Sequence, residues 1–254
     1  MALLAHRGRD RLTIAEAPRR RRAGVPACDL TTDRPSGARV PDRSRPMRDT
    51  ARMSSPLELS FVTSAPDVGS LPRSDVEVAI VGRSNVGKSS LLNALAARRE
   101  LARTSKTPGR TQLLNCFALA DGGTLVDLPG FGYAKASKTD RAAWRRRMET
   151  YLLERGPLVM TMLLVDGEVG PTKLDVEMLA WLREHDVPFT VVATKHDKVR
   201  SSRRQRRRRE LAAGCDLDPK QVVWVSAETG VNIDRLRAMV RAWLRGPEAA
   251  TAGS

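Results

Sequence analysis

A chain of 254 residues has room for one α/β domain with a substantial core plus a tail, but not for two such domains. Lys and Arg total 44 against 29 acids, a net charge of +15 that favours phosphate-rich partners, while three scattered cysteines, Cys28, Cys116 and Cys215, exclude a disulfide framework or metal cluster and fit a reducing compartment. No apolar run approaches the ~20 residues needed to cross a bilayer, and the start MALLAHR is too short for a signal peptide, so a soluble, cytoplasmic protein is expected.

Residues 1–55 hold 13 Arg and six acids, with Arg19 to Arg22 flanked by Pro18 and Pro26, and show no sustained hydrophobic period. They are expected to form a disordered basic extension. Two other readings stand beside it: a transit peptide, opposed by the six acids, and a true start at Met47 or Met53. A globular domain is expected over 56–246 and a disordered tail over 247–254; together these residues 56–254 still carry +8. Within the domain Val76 to Val81 reads as a strand and Ser89 to Ala97 as a helix. Leu113 to Leu119 and Thr124 to Val126 form a hairpin across Asp121-Gly122-Gly123. Trp144, Met148, Tyr151 and Leu152 share one helix face, followed by a buried strand at Val159 to Val165 and a helix marked by Leu174, Met178, Trp181 and Leu182. Phe189 to Ala193 and Val222 to Val225 are further buried strands, separated by an Arg-rich helical stretch, and Ile233, Leu236, Val240 and Leu244 mark a closing helix. Strands alternating with helices predict an α/β three-layer sandwich: a mostly parallel six-stranded sheet with one antiparallel hairpin and helices on both faces.

Gly82-Arg83-Ser84-Asn85-Val86-Gly87-Lys88-Ser89 satisfies every fixed position of GxxxxGK[ST], between a strand and a helix, and so reads as the phosphate-binding loop of a P-loop NTPase. Its glycines let backbone N–H groups surround an anion, Lys88 reaches the β- and γ-phosphates, the Ser89 hydroxyl can ligate Mg²⁺, and the helix N-terminus adds its dipole. In such a sheet ligands sit at the carboxyl ends of strands, where the remaining motifs fall. Asp127-Leu128-Pro129-Gly130 offers a carboxylate for Mg²⁺ through water and, at Gly130, an N–H for a γ-phosphate. In Thr194-Lys195-His196-Asp197, Asp197 can accept the N1 and N2 protons of guanine while the Lys195 stem covers the ring; adenine, an acceptor at N1, is refused. Val225-Ser226-Ala227 ends the next strand, where backbone N–H groups can support guanine O6.

Order and spacing together resemble the translation-factor-like class of small GTPases, specifically the EngB (YihA/YsxC) family of ribosome-biogenesis GTP-binding proteins, over residues 57–245. The resemblance is carried by Phe61-Val62-Thr63-Ser64-Ala65, by Gly82 to Ser90, by Leu101 to Gln112 and by Asp127 to Ala134. It implies an EngB-type G domain over 56–246 that hydrolyses GTP with Mg²⁺, takes part in assembly of the large ribosomal subunit through contacts with rRNA and ribosomal proteins, is a monomer, and is needed for normal cell division and septation. It also implies that Gly109, Arg110, Thr111, Gln112 and Leu113 lie across the nucleotide, with Thr111 joining Ser89 on the metal; Thr107, four residues earlier, is the competing candidate. Lys88, Asn85 and Gly130 are the expected catalytic set, Asn85 matching the position where related GTPases hold a stimulating K⁺. The water-orienting glutamine that many GTPases carry after DxxG is Phe131 here, which predicts slow intrinsic hydrolysis and leaves a nucleotide-occupied rRNA-binding scaffold with negligible turnover as the alternative. The usual family Arg-His pair after Val165-Asp166 is replaced by Gly167-Glu168-Val169, so that pair's role is open in this chain. The run Arg203-Arg204-Gln205-Arg206-Arg207-Arg208-Arg209, expected to project all round a helix, reads as a phosphate-contacting surface for structured rRNA, with a solvated helix face as the alternative; Arg145 to Arg147 is equally well a solvated face or a docking patch.

Overall fold

The computed structural model describes residues 55–102, 113–132 and 138–245, with 138–141 described by backbone alone. The sequence expectations for 1–54, the switch residues Thr107, Gly109, Arg110, Thr111 and Gln112, and the tail 247–254 lie outside the described residues. Among the described residues seven strands and five helices alternate: β1 (Leu59–Ala65), β2 (Glu77–Gly82), α1 (Lys88–Ala96), β3 (Leu114–Leu119), β4 (Thr124–Asp127), α2 (Lys138–Glu154), β5 (Leu158–Asp166), α3 (Lys173–Glu184), β6 (Phe189–Thr194), α4 (Arg204–Gly214), β7 (Val222–Trp224) and α5 (Ile233–Leu244).

They build one sheet in the order β1-β3-β4-β2-β5-β6-β7. β3 runs antiparallel to both its neighbours, and the other pairs are parallel. The expected three-layer architecture and the β3–β4 hairpin are present. The expected count of six strands is corrected to seven: β1 pairs with β3, Leu59 opposite Leu119 and Ala65 opposite Leu114. As a sheet edge β1 buries only its two ends, Leu59 and Ala65, so it shows neither an apolar run nor a clean alternation.

The period of two along each strand divides the core. Ala79, Val81, Leu163, Val165, Val191 and Ala193 point to the side covered by α2, α3 and α4, whereas Val78, Ile80, Met162, Leu164 and Val192 point to the side covered by α1 and α5. All six residues of β2 are buried, which explains the apolar run that follows Glu77. Arg237 of α5 donates to the carbonyls of Leu95 and Ala94 at 2.9 and 2.7 Å, satisfying the C-terminal end of α1 and fixing the helix that starts at the phosphate loop. At the opposite end of the sheet the fully buried Glu77 receives hydrogen bonds from Tyr151 Oη at 3.0 Å and from Arg155 at 3.0 and 2.6 Å. Charge and hydrogen bonds there compensate for desolvation. Among the described residues no helix is long and apolar enough to cross a membrane.

Candidate nucleotide-binding site

The phosphate loop leaves β2 through Gly82, where a Cβ would lie 2.9 Å from Val86 and 3.0 Å from Leu164, so only glycine lets the loop turn back at that depth. Gly87 adopts φ 102° immediately before α1, a left-handed conformation that glycine accepts without a Cβ clash. Inside the loop Asn85 is also left-handed, at φ 64°, and its side chain is exposed. Val86 is buried and acts as an anchor: its carbonyl accepts the Thr194 hydroxyl at 2.7 Å, joining the phosphate loop to the end of β6.

The strand-end loop after β4 is stitched to the phosphate loop by backbone bonds, Ser84 N–H to the Phe131 carbonyl at 3.0 Å and Phe131 N–H to the Gly82 carbonyl at 3.2 Å. This pairing brings Gly130 so close that a Cβ on it would lie 3.1 Å from Lys88 Nζ and 3.1 Å from Ser84 N. Phe131 turns away from this junction, only 5 % exposed, with its ring 5.9 Å from that of Trp144. Trp144 Nε1 donates to the Pro129 carbonyl at 2.9 Å, holding the loop from its other side. Leu128 is buried, and its N–H continues the ladder to Ile80.

Asp127 is buried at the end of β4 with Lys88 Nζ at 3.9 Å from Oδ1. Burial pushes its carboxyl above the usual carboxylate range, opposed by the Lys88 charge and by a hydrogen bond from the Asn115 side chain. Asn115 in turn accepts the Ser64 hydroxyl at 2.7 Å, so a residue of the edge strand β1 supports the carboxylate through β3. Oδ1 of Asp127 has no hydrogen-bond partner among the described residues. The desolvated Asp127 oxygen beside Lys88, with the Ser89 hydroxyl at the start of α1, is a donor set that fits a hard cation such as Mg²⁺.

Across α1 lies a pocket of 510 Å³, lined among others by Gly87, Ser90, Asn93, Thr194, Lys195, Asp197, Val225 and Ala227. Its size suits a nucleoside. Asp197 Oδ1 accepts the buried Ser226 hydroxyl at 2.6 Å, which fixes the carboxylate before any ligand arrives. Lys195 is left-handed, at φ 55°, and its Nζ lies 2.7 Å from Asp166 Oδ2, so its stem is stretched along one wall. The other oxygen of Asp166 accepts the N–H groups of Glu168 and Val169 at 3.0 and 3.2 Å. The Gly167-Glu168-Val169 turn thus supports the partner of Lys195, and Gly167 has no room for a side chain because a Cβ would strike the Thr194 carbonyl and the Trp224 ring.

Most of the residues singled out in the sequence meet at this one edge of the sheet, but two turn elsewhere. Arg83 forms an ion pair at 3.1 Å with the fully buried Asp175, which also caps α3 by accepting from Thr172 N and Oγ1. His196 is buried against Trp224, ring centroids 6.0 Å apart. Leu113 is exposed at the entry to β3. Sequence reasoning missed Ser64, Asn115, Trp144 and Asp166, each a polar group whose partner is set by register or tertiary packing. It also missed Ser90, Asn93 and Lys198 in the pocket wall; the GKS-S run was the one signal pointing to Ser90. Asn93 further ties the end of α1 to the backbone of Arg99 and Ala102, at the threshold of 103–112.

The sheet, the phosphate loop at the end of β2 and the clustered strand-end loops define a P-loop nucleotide-binding protein of the GTPase class: a family profile described as 50S ribosome-binding GTPase matches residues 77–195. A protein of Pelotomaculum thermopropionicum named a probable GTP-binding protein EngB is 45 % identical over 186 residues, covering 72 % of this chain and 94 % of its own. One of the same name from Exiguobacterium sp. is 47 % identical over 180 residues, covering 68 % and 89 %. A crystal structure of a probable GTP-binding protein engB superposes with a TM-score of 0.56 at 27 % identity, over 67 % of this chain and 99 % of the other. The chain belongs to the EngB family of GTP-binding proteins.

Proposed function

We propose that this protein is a Mg²⁺-dependent GTPase acting in the cytoplasm as a monomeric switch in assembly of the large ribosomal subunit, binding the precursor particle through rRNA and ribosomal proteins with GTP and leaving after hydrolysis. Growth, division and septation then depend on it through the supply of ribosomes. The observation that carries the reading is the junction between the two loops, where Gly130 lies against Lys88 and Ser84: a γ-phosphate entering there meets both loops at once, so its presence or loss is read by the segment after β4.

In this reading the backbone N–H groups from Arg83 to Ser89 surround the β-phosphate and Lys88 neutralises the β- and γ-phosphates. Ser89, with Asp127 through water and Thr111 from outside the described residues, holds Mg²⁺, which supplies charge neutralisation to the phosphates. Asp197, oriented by Ser226, accepts from guanine N1 and N2 while Lys195 and Ala227 close the base pocket. The buried Phe131 gives the attacking water no polar guide, so turnover is slow in the free protein, and Asn85, exposed in the loop, holds a K⁺ that adds positive charge at the transition state. The position of Phe131 also favours a second reading, a nucleotide-occupied rRNA-binding scaffold without turnover.

GTP hydrolysis measured in K⁺ or Na⁺, with and without purified large subunits, for wild type and Asn85→Ala separates the two. The switch requires stimulation by subunits, and K⁺ dependence lost in Asn85→Ala assigns the cation. Tight GTP binding with no turnover under any condition establishes the scaffold instead.

A further inference from the structure

Six arginines lie between Arg203 and Arg209, and the fold sorts them into two sets. Arg204 turns inward, its Nε donating to the Val199 carbonyl at 3.1 Å. Arg208 is half-buried near His196, and Arg207 is half-buried with one guanidinium nitrogen against Gly170 and 3.7 Å from Glu210. Arg203, Arg206 and Arg209 stay exposed and follow one another at a spacing of three, so they share one side of the turn Ser201–Arg203 and α4. Exposed Arg200 and Lys198 extend the row, and Lys198 also lines the nucleotide pocket. Eight basic residues and no acid lie from Lys198 to Arg209; the flanking carboxylates are Asp197, 3.9 Å from Lys198 Nζ, and Glu210, 2.6 Å from Arg206, which leaves Arg200, Arg203 and Arg209 in excess.

Left to itself the row is unfavourable. Like charges three residues apart repel, and they sit at the positive end of the α4 dipole, with no acid in its first turn and no side-chain cap. A polyanion laid along the row reverses both effects.

We propose that the face formed by Lys198, Arg200, Arg203, Arg206 and Arg209 is a docking surface for the sugar–phosphate backbone of double-stranded RNA. The proposal deepens the function given above and rests on it. Guanidinium groups match phosphate oxygens bidentately, and four of the five cations are arginine. The stretch from Lys198 to Arg209 has no Phe, Trp or Tyr on which an unpaired base could stack, which favours a duplex over a single strand. Its one aliphatic residue, Val199, is buried, so an anionic membrane would find charge but no apolar anchor. The row begins at the rim of the nucleotide pocket, so a docked duplex lies beside the base-reading loop.

The test compares Arg203→Glu/Arg209→Glu with Arg145→Glu/Arg146→Glu, an equal charge change at exposed positions of α2, both in the full chain loaded with a non-hydrolysable GTP analogue. Binding of a fluorescein-labelled RNA duplex of about 16 base pairs is followed by anisotropy between about 50 and 200 mM salt. The α4 variant is expected to lose about tenfold or more in affinity and about two units of salt slope, with GDP affinity unchanged, and the α2 variant to change less than about threefold. Equal losses in the two variants, wild-type binding by the α4 variant, or an α4-dependent attachment to phosphatidylserine vesicles without RNA binding would each overturn the proposal. Co-sedimentation with large subunits keeps the two levels apart. An α4 variant that binds subunits like wild type defeats this surface and leaves the switch standing, whereas wild type that ignores subunits defeats the switch while the duplex assay still decides the surface.

Discussion

Asp197 presents its carboxylate to the pocket with one oxygen already accepting the Ser226 hydroxyl at 2.6 Å, so the acceptor geometry for a purine edge exists before a ligand arrives. In the proposed function this one charge separates guanine from adenine. Hydrogen bonds to a charged group contribute about 1.5–3 kcal/mol, so Asp197→Asn is expected to weaken GTP binding about 10–100-fold and to turn preference toward XTP, whose C2 carbonyl accepts from an amide, in competition against labelled GDP. Unchanged GTP affinity would remove Asp197 from base recognition. Gly130 is a different kind of position: its φ is not in the left-handed region, so alanine fits the backbone, but the added methyl would press on Lys88 Nζ and Ser84 N. Gly130→Ala should therefore keep GDP affinity and lower subunit-stimulated hydrolysis about 100-fold, the order expected for a displacement near 1 Å at a reacting centre. Equal loss of GDP and GTP binding would mean that the loop contact is structural only.

The elements differ in how plainly the sequence announces them. β2, β5 and β6 are flanked on both faces by helices, so nearly every residue is apolar and each run is conspicuous. β1 lies at the edge with Phe61 and Val62 exposed, and its sequence LSFVTSA carries no period that reports a strand. Gly-rich spacing revealed the phosphate loop for the same reason: backbone conformation there is dictated by residue type. Ser64, Asn115 and Asp166 gave no such signal, since what matters about Asn115 is that register sets it opposite Asp127, and a cross-strand partner is not written in local sequence. The Arg-rich stretch was recognised as a helix, but which of its arginines turn inward depends on Val199, Gly170 and Glu210. At the far end of the sheet, Arg155→Ala would leave Glu77 fully buried without its cation. Removing one partner of a buried pair costs about 3–5 kcal/mol, to be read as a lower urea midpoint with unchanged m-value. A loss below about 1 kcal/mol would mean that water or Tyr151 alone satisfies Glu77.

For the molecule as a whole, stability and the proposed base recognition meet at the loop between β6 and α4. Burial, together with the charges of Arg204 and Arg208, holds the His196 imidazole below its ordinary value of 6.5, although neighbouring Asp197 pulls the other way. A depressed pKa means that the unfolded chain binds the proton more readily. The corresponding stability is present above about pH 6.5 and is lost as pH falls through the lower folded-state value. Wild type should lose more stability than His196→Leu between about pH 7.5 and pH 5.5, and parallel losses would place the titration elsewhere. The same loop carries Asp197 on one side and leads into the exposed arginine row on the other, while Gly130 meets Lys88 at the site proposed for the phosphates. The residues proposed for base and phosphate recognition thus meet at the end of the sheet where β2, β4 and β6 stop, and the basic face starts beside them, an arrangement that suits the proposed switch. The most direct test is co-sedimentation of the full chain with large-subunit precursors in the presence of a non-hydrolysable GTP analogue or GDP. The switch predicts retention with the analogue and release with GDP; equal retention in both states, or none in either, would contradict it.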